Sequence, residues 1–402
     1  MNKPELLAPA GSYEKLKTAL AFGADAVYCG LPDFSLRVRI NSFNLKDLAE
    51  AIKYCHDHKK KIYLTLNIYA HNQHLKKLPA YIKFLKANKP DGIIVSDPGI
   101  IKILKKELPK IPLHLSTQAN CTNWQAAKFW YEQGIKRIIL AREVTIAEIK
   151  EIRKNVPKLE LEYFVHGAMC MSYSGRCILS KWLTGRSANL GDCVQPCRWG
   201  YRVSTDDERG QVMEVEEDKH GTYLFNSKDL CLIGHLAELK KAGVTSFKIE
   251  GRAKSAYYVA VVVKAYRQAI DKKQPIKNLV KELGTLANRG YTTGFAFGAE
   301  KWDNNFQISH QKSSYQFVGE VVKYSKEKGA TLIAVHNAIY RGETVEFITP
   351  TGKNFRQKLT KIIDTKNDKE VASAHGGHDQ IISIKTTEPI PAFSVLRKKL
   401  KS

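Results

Sequence analysis

Four cysteines crowd into one short stretch of this chain, Cys170, Cys177, Cys193 and Cys197, with the spacing C-x6-C-x15-C-x3-C. Thiolates are soft ligands suited to iron–sulfur clusters or to zinc. Zinc ribbons usually present C-x2-C knuckles, and neither close pair here has that spacing. Glycines at 167, 175 and 191 permit the sharp turns and close backbone approach that a buried cluster needs. The spacing therefore points to a cluster, with zinc and reactive or merely buried thiols as the alternatives. Cys29, Cys55 and Cys121 stand alone and read as small core residues. Cys231 follows the polar run Asn226-Ser227-Lys228-Asp229 and is open to either reading.

A second set of polar residues falls just after short apolar runs. Asn67, Asp97, Gln118 and Asn120, Arg142 and Glu143, His166, Glu250 and Arg252 each follow a predicted strand, and Arg37 and Arg39 lie in the loop after the second. Any one of them suits an ordinary polar loop; their repetition after so many strands suggests one functional face. The arginines suit an anionic ligand, because guanidinium forks match carboxylates and phosphates. His166 is a candidate for proton transfer, having an ordinary pKa near neutrality, or for a structural hydrogen bond that orders the cysteine loop. Cys55-His56-Asp57-His58 and His375-Gly376-Gly377-His378 read as a solvated helix end and a loop. No HExxH or G-x-S-x-G occurs, so protease and serine-hydrolase mechanisms lack their usual sequence support.

The elements that must position these residues alternate steadily. Strands are predicted at Glu5–Ala8, Ala26–Cys29, Ile62–Leu66, Gly92–Val95, Leu113–Ser116, Arg137–Leu140, Leu161–Val165 and Ser246–Ile249, with amphipathic stretches between them. Eight β-then-α units predict an α/β fold, a TIM-type (β/α)8 barrel, whose chemistry sits at the C-terminal ends of the strands. The long insertion after strand seven, residues 166–231, carries the cysteines. Residues 1–272 are read as the barrel domain and 273–314 as a polar connection. From 315 to 402 the alternation becomes β-branched and aromatic, which predicts a small antiparallel β-barrel.

Composition supports the same picture. At 402 residues with 43% hydrophobic content, the chain has ample material for a large core. The net charge of +24 suits a polyanionic partner such as nucleic acid, although a lysine-rich proteome gives the same number. Its longest apolar run, Ala256 to Val263, is far short of the ~18 residues of a membrane span. The opening residues carry no signal pattern, so the expected location is cytoplasmic, without membrane association. Crowded cysteines in a reducing compartment hold metal or do redox chemistry more often than they form disulfides.

Several stretches together resemble the peptidase U32 family. They are Pro4-Glu5-Leu6-Leu7-Ala8-Pro9-Ala10-Gly11, Phe164-Val165-His166-Gly167-Ala168-Met169-Cys170, Ser174-Gly175-Arg176-Cys177, His220-Gly221-Thr222-Tyr223 and Lys248-Ile249-Glu250-Gly251-Arg252. Within the family the chain is similar to the branch that hydroxylates tRNA, through Ser35-Leu36-Arg37-Val38-Arg39, Ser96-Asp97-Pro98-Gly99 and His114-Leu115-Ser116-Thr117-Gln118-Ala119-Asn120. The resemblance implies prephenate-dependent, oxygen-independent hydroxylation of the wobble uridine of tRNA to 5-hydroxyuridine, with a 4Fe-4S cluster. It assigns Cys170, Cys177, Cys193 and Cys197 as ligands, with Cys231 a rival for one of the last pair. His166 and Glu250 become the catalytic candidates. Arg37, Arg39, Asn67, Gln118, Asn120, Arg142, Glu143 and Arg252 become the candidates to bind prephenate or RNA. Electron-transfer or cluster-delivery proteins are possible partners. Relatives that act on ribosomal RNA, the family's peptidase label, and a non-catalytic RNA-binding assembly factor define the competing functions.

Overall fold

The computed structural model describes residues 3–36, 42–170, 172–199, 226–298, 313–377 and 380–400. Arg37, Arg39 and the His220–Tyr223 stretch lie outside the described residues. The chain divides into two compact units, the first within Met1–Leu16, Asp25–Ala253 and Asn288–Gln311 and the second within Lys17–Ala24, Lys254–Ala287 and Lys312–Ser402.

The first unit is a closed parallel barrel. Its strands are β1 (Glu5–Pro9), β2 (Ala26–Gly30), β3 (Lys61–Leu66), β4 (Gly92–Val95), β5 (Leu113–Leu115), β6 (Arg137–Ile139), β7 (Glu160–Ala168) and, after a short intervening β8 (Asp229–Cys231), β9 (Ser246–Ile249). Each of the eight parallel strands pairs with its neighbours, and β9 closes the ring by pairing with both β7 and β1. The strands read as nearly unbroken apolar runs because both faces are covered. Helices α1 (Tyr13–Ala21), α2 (Leu45–Asp57), α3 (Asn72–Asn88), α4 (Pro98–Glu107), α5 (Trp124–Glu132) and α6 (Ile146–Asn155) fall between successive strands. Local chemistry starts them: Asn44 and Asp47 form a capping box on α2, Thr145 and Glu148 form another on α6, and Asn123 caps α5. Asp97, one of the polar strand-end residues, caps α4 by accepting from the Ile100 backbone N–H at 2.9 Å.

Strand β7 forks. Its residues Glu162 to Phe164 and His166 pair with β9, while His166 to Ala168 pair antiparallel with β8. A one-residue bulge at Val165 lies between those two pairings of β7 with β9, since Phe164 faces Lys248 but His166 faces Ile249. The cysteine-bearing insertion leaves from the top of β7 and contains helix α7 (Leu179–Thr184). Gly167 adopts φ +112°, and a Cβ there would stand 2.5 Å from the Glu250 carbonyl oxygen, so the fork requires glycine. Helix α8 (Leu236–Ala242) then leads into β9, and the two-residue β10 (Tyr291–Thr292) pairs with β8.

Charged side chains run through the barrel interior. The Arg137 guanidinium meets Glu5 at 2.6 Å, Glu160 at 2.8 Å and Glu162 at 3.1 Å, and Lys248 Nζ donates to the other oxygen of Glu162 at 2.7 Å. Tyr63 and Ser246 hydroxyls donate to Glu5. Burial lowers the Lys248 pKa despite its carboxylate partner. Burial, with Arg137 and Lys248 nearby, holds His114 well below the usual imidazole range, so its ring is neutral.

The second unit contains α9 (Ala256–Ile270), α10 (Ile276–Leu283) and an antiparallel sheet. The segment read as a polar connection thus includes a helix, with Ile276, Leu279, Val280 and Leu283 at the spacing of one helical face. Its strands are β11 (Tyr315–Ser325), β12 (Ala330–Val335), β13 (Ile339–Tyr340), β14 (Thr344–Ile348), β15 (Phe355–Lys358), β16 (Ile362–Asp364), β17 (Lys369–Val371), β18 (Ser373–Ala374), β19 (Ile381–Lys385) and β20 (Val395–Lys399). The large sheet has the order β15-β14-β20-β11-β12-β19-β16-β17. Phe347 from near one end and Ile362 from near the other share a core with Ile382 and Leu396, so the sheet is curled.

Candidate active site

At the C-terminal ends of the barrel strands the residues surround a recess of about 110 Å³. The barrel contributes Tyr28, Thr65, Asn67, Gln118, Phe164 and Lys248 along with Arg142, Glu250 and Arg252; the insertion contributes Cys170, Cys177, Cys193, Cys197 and Arg198. This is the face on which a barrel of this kind places its chemistry.

The barrel wall is held by its own hydrogen bonds. Asn67, just past β3, donates through Nδ2 to Ser116 Oγ and to Gln118 Oε1, both at 3.2 Å, and Ser116 also donates to Gln118. Arg252 is buried and donates to Ser35, to Thr65 Oγ1 at 3.1 Å and to the Leu36 carbonyl. It therefore ties down the loop after β2. Arg142 lies over the Phe164 ring at 4.2 Å and 3.9 Å from Glu250 Oε2, which leaves donors on its planar fork. The Tyr28 hydroxyl donates to the Ile249 carbonyl at 3.0 Å and stands 3.5 Å from Glu250 Oε2. Lys248 Nζ sits 4.4 Å from the centre of the Tyr28 ring.

The insertion wall is built from turns. All four of its cysteines are free thiols. The Cys170 thiol is 2.9 Å from the Ser172 hydroxyl, and Cys193 Sγ accepts from the Gln195 N–H at 3.3 Å. Burial pushes the Cys197 thiol up to about 11, with the Cys170 thiol adding to the rise. Among the described residues no three His, Cys, Asp or Glu side chains are grouped to hold a single metal ion. In a four-iron cluster each thiolate binds a different iron, so its ligands stand farther apart than those of one ion. The four free thiols of the insertion line one recess, which is the donor set such a cluster would take.

The remaining predicted residues sit at other places. Asn120 and Glu143 brace the insertion: Asn120 Oδ1 accepts from Ser174 Oγ at 2.6 Å, and Glu143 Oε1 from the Ser174 N–H at 2.9 Å. His166 does not line the recess. The bulge at Val165 turns it to the face of Ile249, where its buried ring lies 5.6 Å from that of Tyr291. Cys231 stands opposite His166 on β8, also away from the recess that the other four cysteines line. Sequence reasoning missed Lys248 and Tyr28 as parts of the site, and Glu162 as the carboxylate that holds Lys248. The available signal was a charged residue inside an otherwise apolar strand, as in Ser246-Phe247-Lys248-Ile249.

Comparison with known proteins places this arrangement. Residues 11–306 match "Peptidase family U32", and residues 313–397 match "Peptidase family U32 C-terminal domain". The tRNA hydroxylation protein P of Haemophilus influenzae is 40% identical, covering 95% of this chain and 93% of its own. The tRNA hydroxylation protein P1 of Bacillus subtilis is 39% identical, covering 99% and 95%. The 23S rRNA 5-hydroxycytidine C2501 synthase of Escherichia coli is 38% identical over 71% of this chain but only 41% of its own length. The chain therefore belongs to peptidase family U32.

Proposed function

We propose that this protein hydroxylates tRNA, converting the wobble uridine to 5-hydroxyuridine with prephenate as co-substrate and a 4Fe-4S cluster held by Cys170, Cys177, Cys193 and Cys197. The observation that carries the reading is the convergence of four free thiols and a cationic, hydrogen-bonded barrel wall on one recess. The relatives named for tRNA hydroxylation, matched over nearly their whole length, support the substrate class. When bound, the cluster supplies one-electron chemistry to the recess.

The chain's own residues divide the remaining work. Arg142 offers a fork to a carboxylate, and Lys248 adds a second cation on the recess lining, which suits a dicarboxylate such as prephenate. Arg252, already committed to Ser35, Thr65 and Leu36, shapes the wall rather than gripping the ligand. Asn67, bonded to Ser116, Gln118 and the Leu36 N–H, holds Gln118 in place, and Gln118 presents its Nε2 to a base edge or a ligand oxygen. Glu250 is the carboxylate placed to take or return a proton, with Tyr28 beside it. His166, packed behind β7, orders the root of the cysteine loop. The protein works in the cytoplasm, where electron-transfer or cluster-delivery proteins are its partners; Arg37 and Arg39, which lie outside the described residues, are assigned to the same anionic ligand.

A ribosomal RNA substrate is the second reading, favoured by the 23S rRNA synthase relative. The family's peptidase name has less support: among the described residues no histidine lines the recess, and Ser116 and Ser35 are bonded to Gln118 and Arg252. The test is mass spectrometry of tRNA nucleosides from cells lacking the gene, complemented by wild type or Cys170→Ala. Loss of 5-hydroxyuridine that only the wild type restores, with iron absent from purified Cys170→Ala, is the expected result. An unchanged level in the deletion strain sinks the tRNA assignment, and a full iron complement in Cys170→Ala sinks the ligand set.

A further inference from the structure

The outer face of the cysteine insertion is unusually apolar for a surface. Among the described residues fourteen large apolar side chains are exposed, and five of them, Tyr173, Ile178, Trp182, Leu183 and Trp199, fall within this one short segment. Ile178 and Trp182 are the most exposed of all, at 77% and 76%. They belong to one face: the Trp182 N–H donates to the Ile178 carbonyl at 2.9 Å, so their side chains are one helical turn apart. Helix α7 packs against the turn Pro196–Arg198, which brings Trp199 to the same neighbourhood. The Val194 N–H bonds to Ser180 Oγ at 3.3 Å, fastening the second cysteine pair beneath the helix. Clustered exposed aromatics mark an interaction surface.

The surrounding charge says what kind. Residues 170–199 contain Arg176, Lys181, Arg186 and Arg198 against the single acid Asp192. Aromatic rings interleaved with cations on a chain of net charge +24 are the combination that binds unpaired nucleic acid, bases on the rings and phosphates on the cations. Arg198 lines the recess itself, so the surface runs continuously from the helix to the site.

We propose that an unpaired stretch of the substrate RNA lies across this face, with a base stacked on Trp182 and its backbone alongside Lys181 and Arg198. The inference rests on the RNA-hydroxylase reading and adds the surface that delivers the target base to the recess. A base flanking the target, held on Trp182, leaves the target unstacked and free to turn inward.

The test uses the full-length, anaerobically purified protein and a fluorescent RNA hairpin with an unpaired loop. Trp182→Ala should weaken binding about ten-fold or more and lower cellular 5-hydroxyuridine, with iron content unchanged. Trp182→Phe, which keeps a ring, should recover most of both. Lys181→Ala should lower the slope of log K against log salt by about one. Wild-type binding and modification by Trp182→Ala overturn the proposal while leaving the hydroxylase reading intact. Normal hairpin binding by Trp182→Ala with reduced modification also overturns it, because the face then serves a protein partner. If the wild type neither binds the hairpin nor changes tRNA, the RNA reading fails and the surface fails with it.

Discussion

Both units bury an arginine among carboxylates, but they do so on different terms. In the barrel, Arg137 shares Glu162 with Lys248, and the Glu162 side chain has no exposure at all. In the second unit Arg397 bonds Glu346 and Glu282, whose side chains keep 13% and 30% of their surface in water. The contrast lies in Glu162 alone: Glu5 and Glu160, which also bond Arg137, keep 12% and 33% of their side-chain surface in water, but Glu162 keeps none, and neither carboxylate of the Arg397 network is sealed in that way. Replacing a sealed ion pair by apolar residues is often neutral or stabilising, so stability offers no reason for the barrel to keep one. Lys248 also lines the recess, so this pair touches the candidate site, which the Arg397 network does not line.

Three changes would break or sharpen this contrast. Glu162→Ala leaves Lys248 buried without its carboxylate and takes one of three carboxylates from Arg137, and should cost about 3–5 kcal/mol, read as a lowered urea midpoint for the whole barrel. A loss below about 1 kcal/mol would mean that water reaches the site. Arg397→Met should cost less, about 1–3 kcal/mol, because Glu346 and Glu282 can rehydrate. Equal losses for the two variants would erase the distinction. The third test is in pH. Lys264 donates to the Thr349 carbonyl and to Asn354 Oδ1, both at 2.7 Å, and burial lowers its pKa from 10.5 to about 8. Between those values the unfolded chain holds a proton that the fold has released, so stability should rise as pH increases from about 8 to 10.5. Below pH 8 the burial penalty is constant, and Lys264→Met should flatten the rise.

The barrel was legible because buried parallel strands leave long apolar runs, and the predicted Ser246–Ile249 matches β9 residue for residue. Strand β8 was not, since Asp229-Leu230-Cys231 is too short to show a period. Helix α10 hid behind Lys277 and Lys281 in a segment that looked merely polar. At the recess, Asn67, Gln118, Arg142, Glu250 and Arg252 were reachable by the rule that barrel chemistry follows the strands. Lys248 escaped that rule because it sits inside its strand and points inward. His166 shows the opposite failure: counting along the chain places it at a strand end, but the extra residue Val165 reverses the side it faces. A bulge leaves no mark in composition or period.

The fork in β7 also bears on the order of assembly. The ring of eight parallel strands closes through pairings of β9 with β7 and β1, none of which involves β8 or the cysteines. The strand pairings that close the barrel are therefore complete without any contribution from the cysteines, whose insertion stands on a finished platform. On the proposed cluster reading, loading is then a late, local step that needs no unfolding of the barrel that receives it.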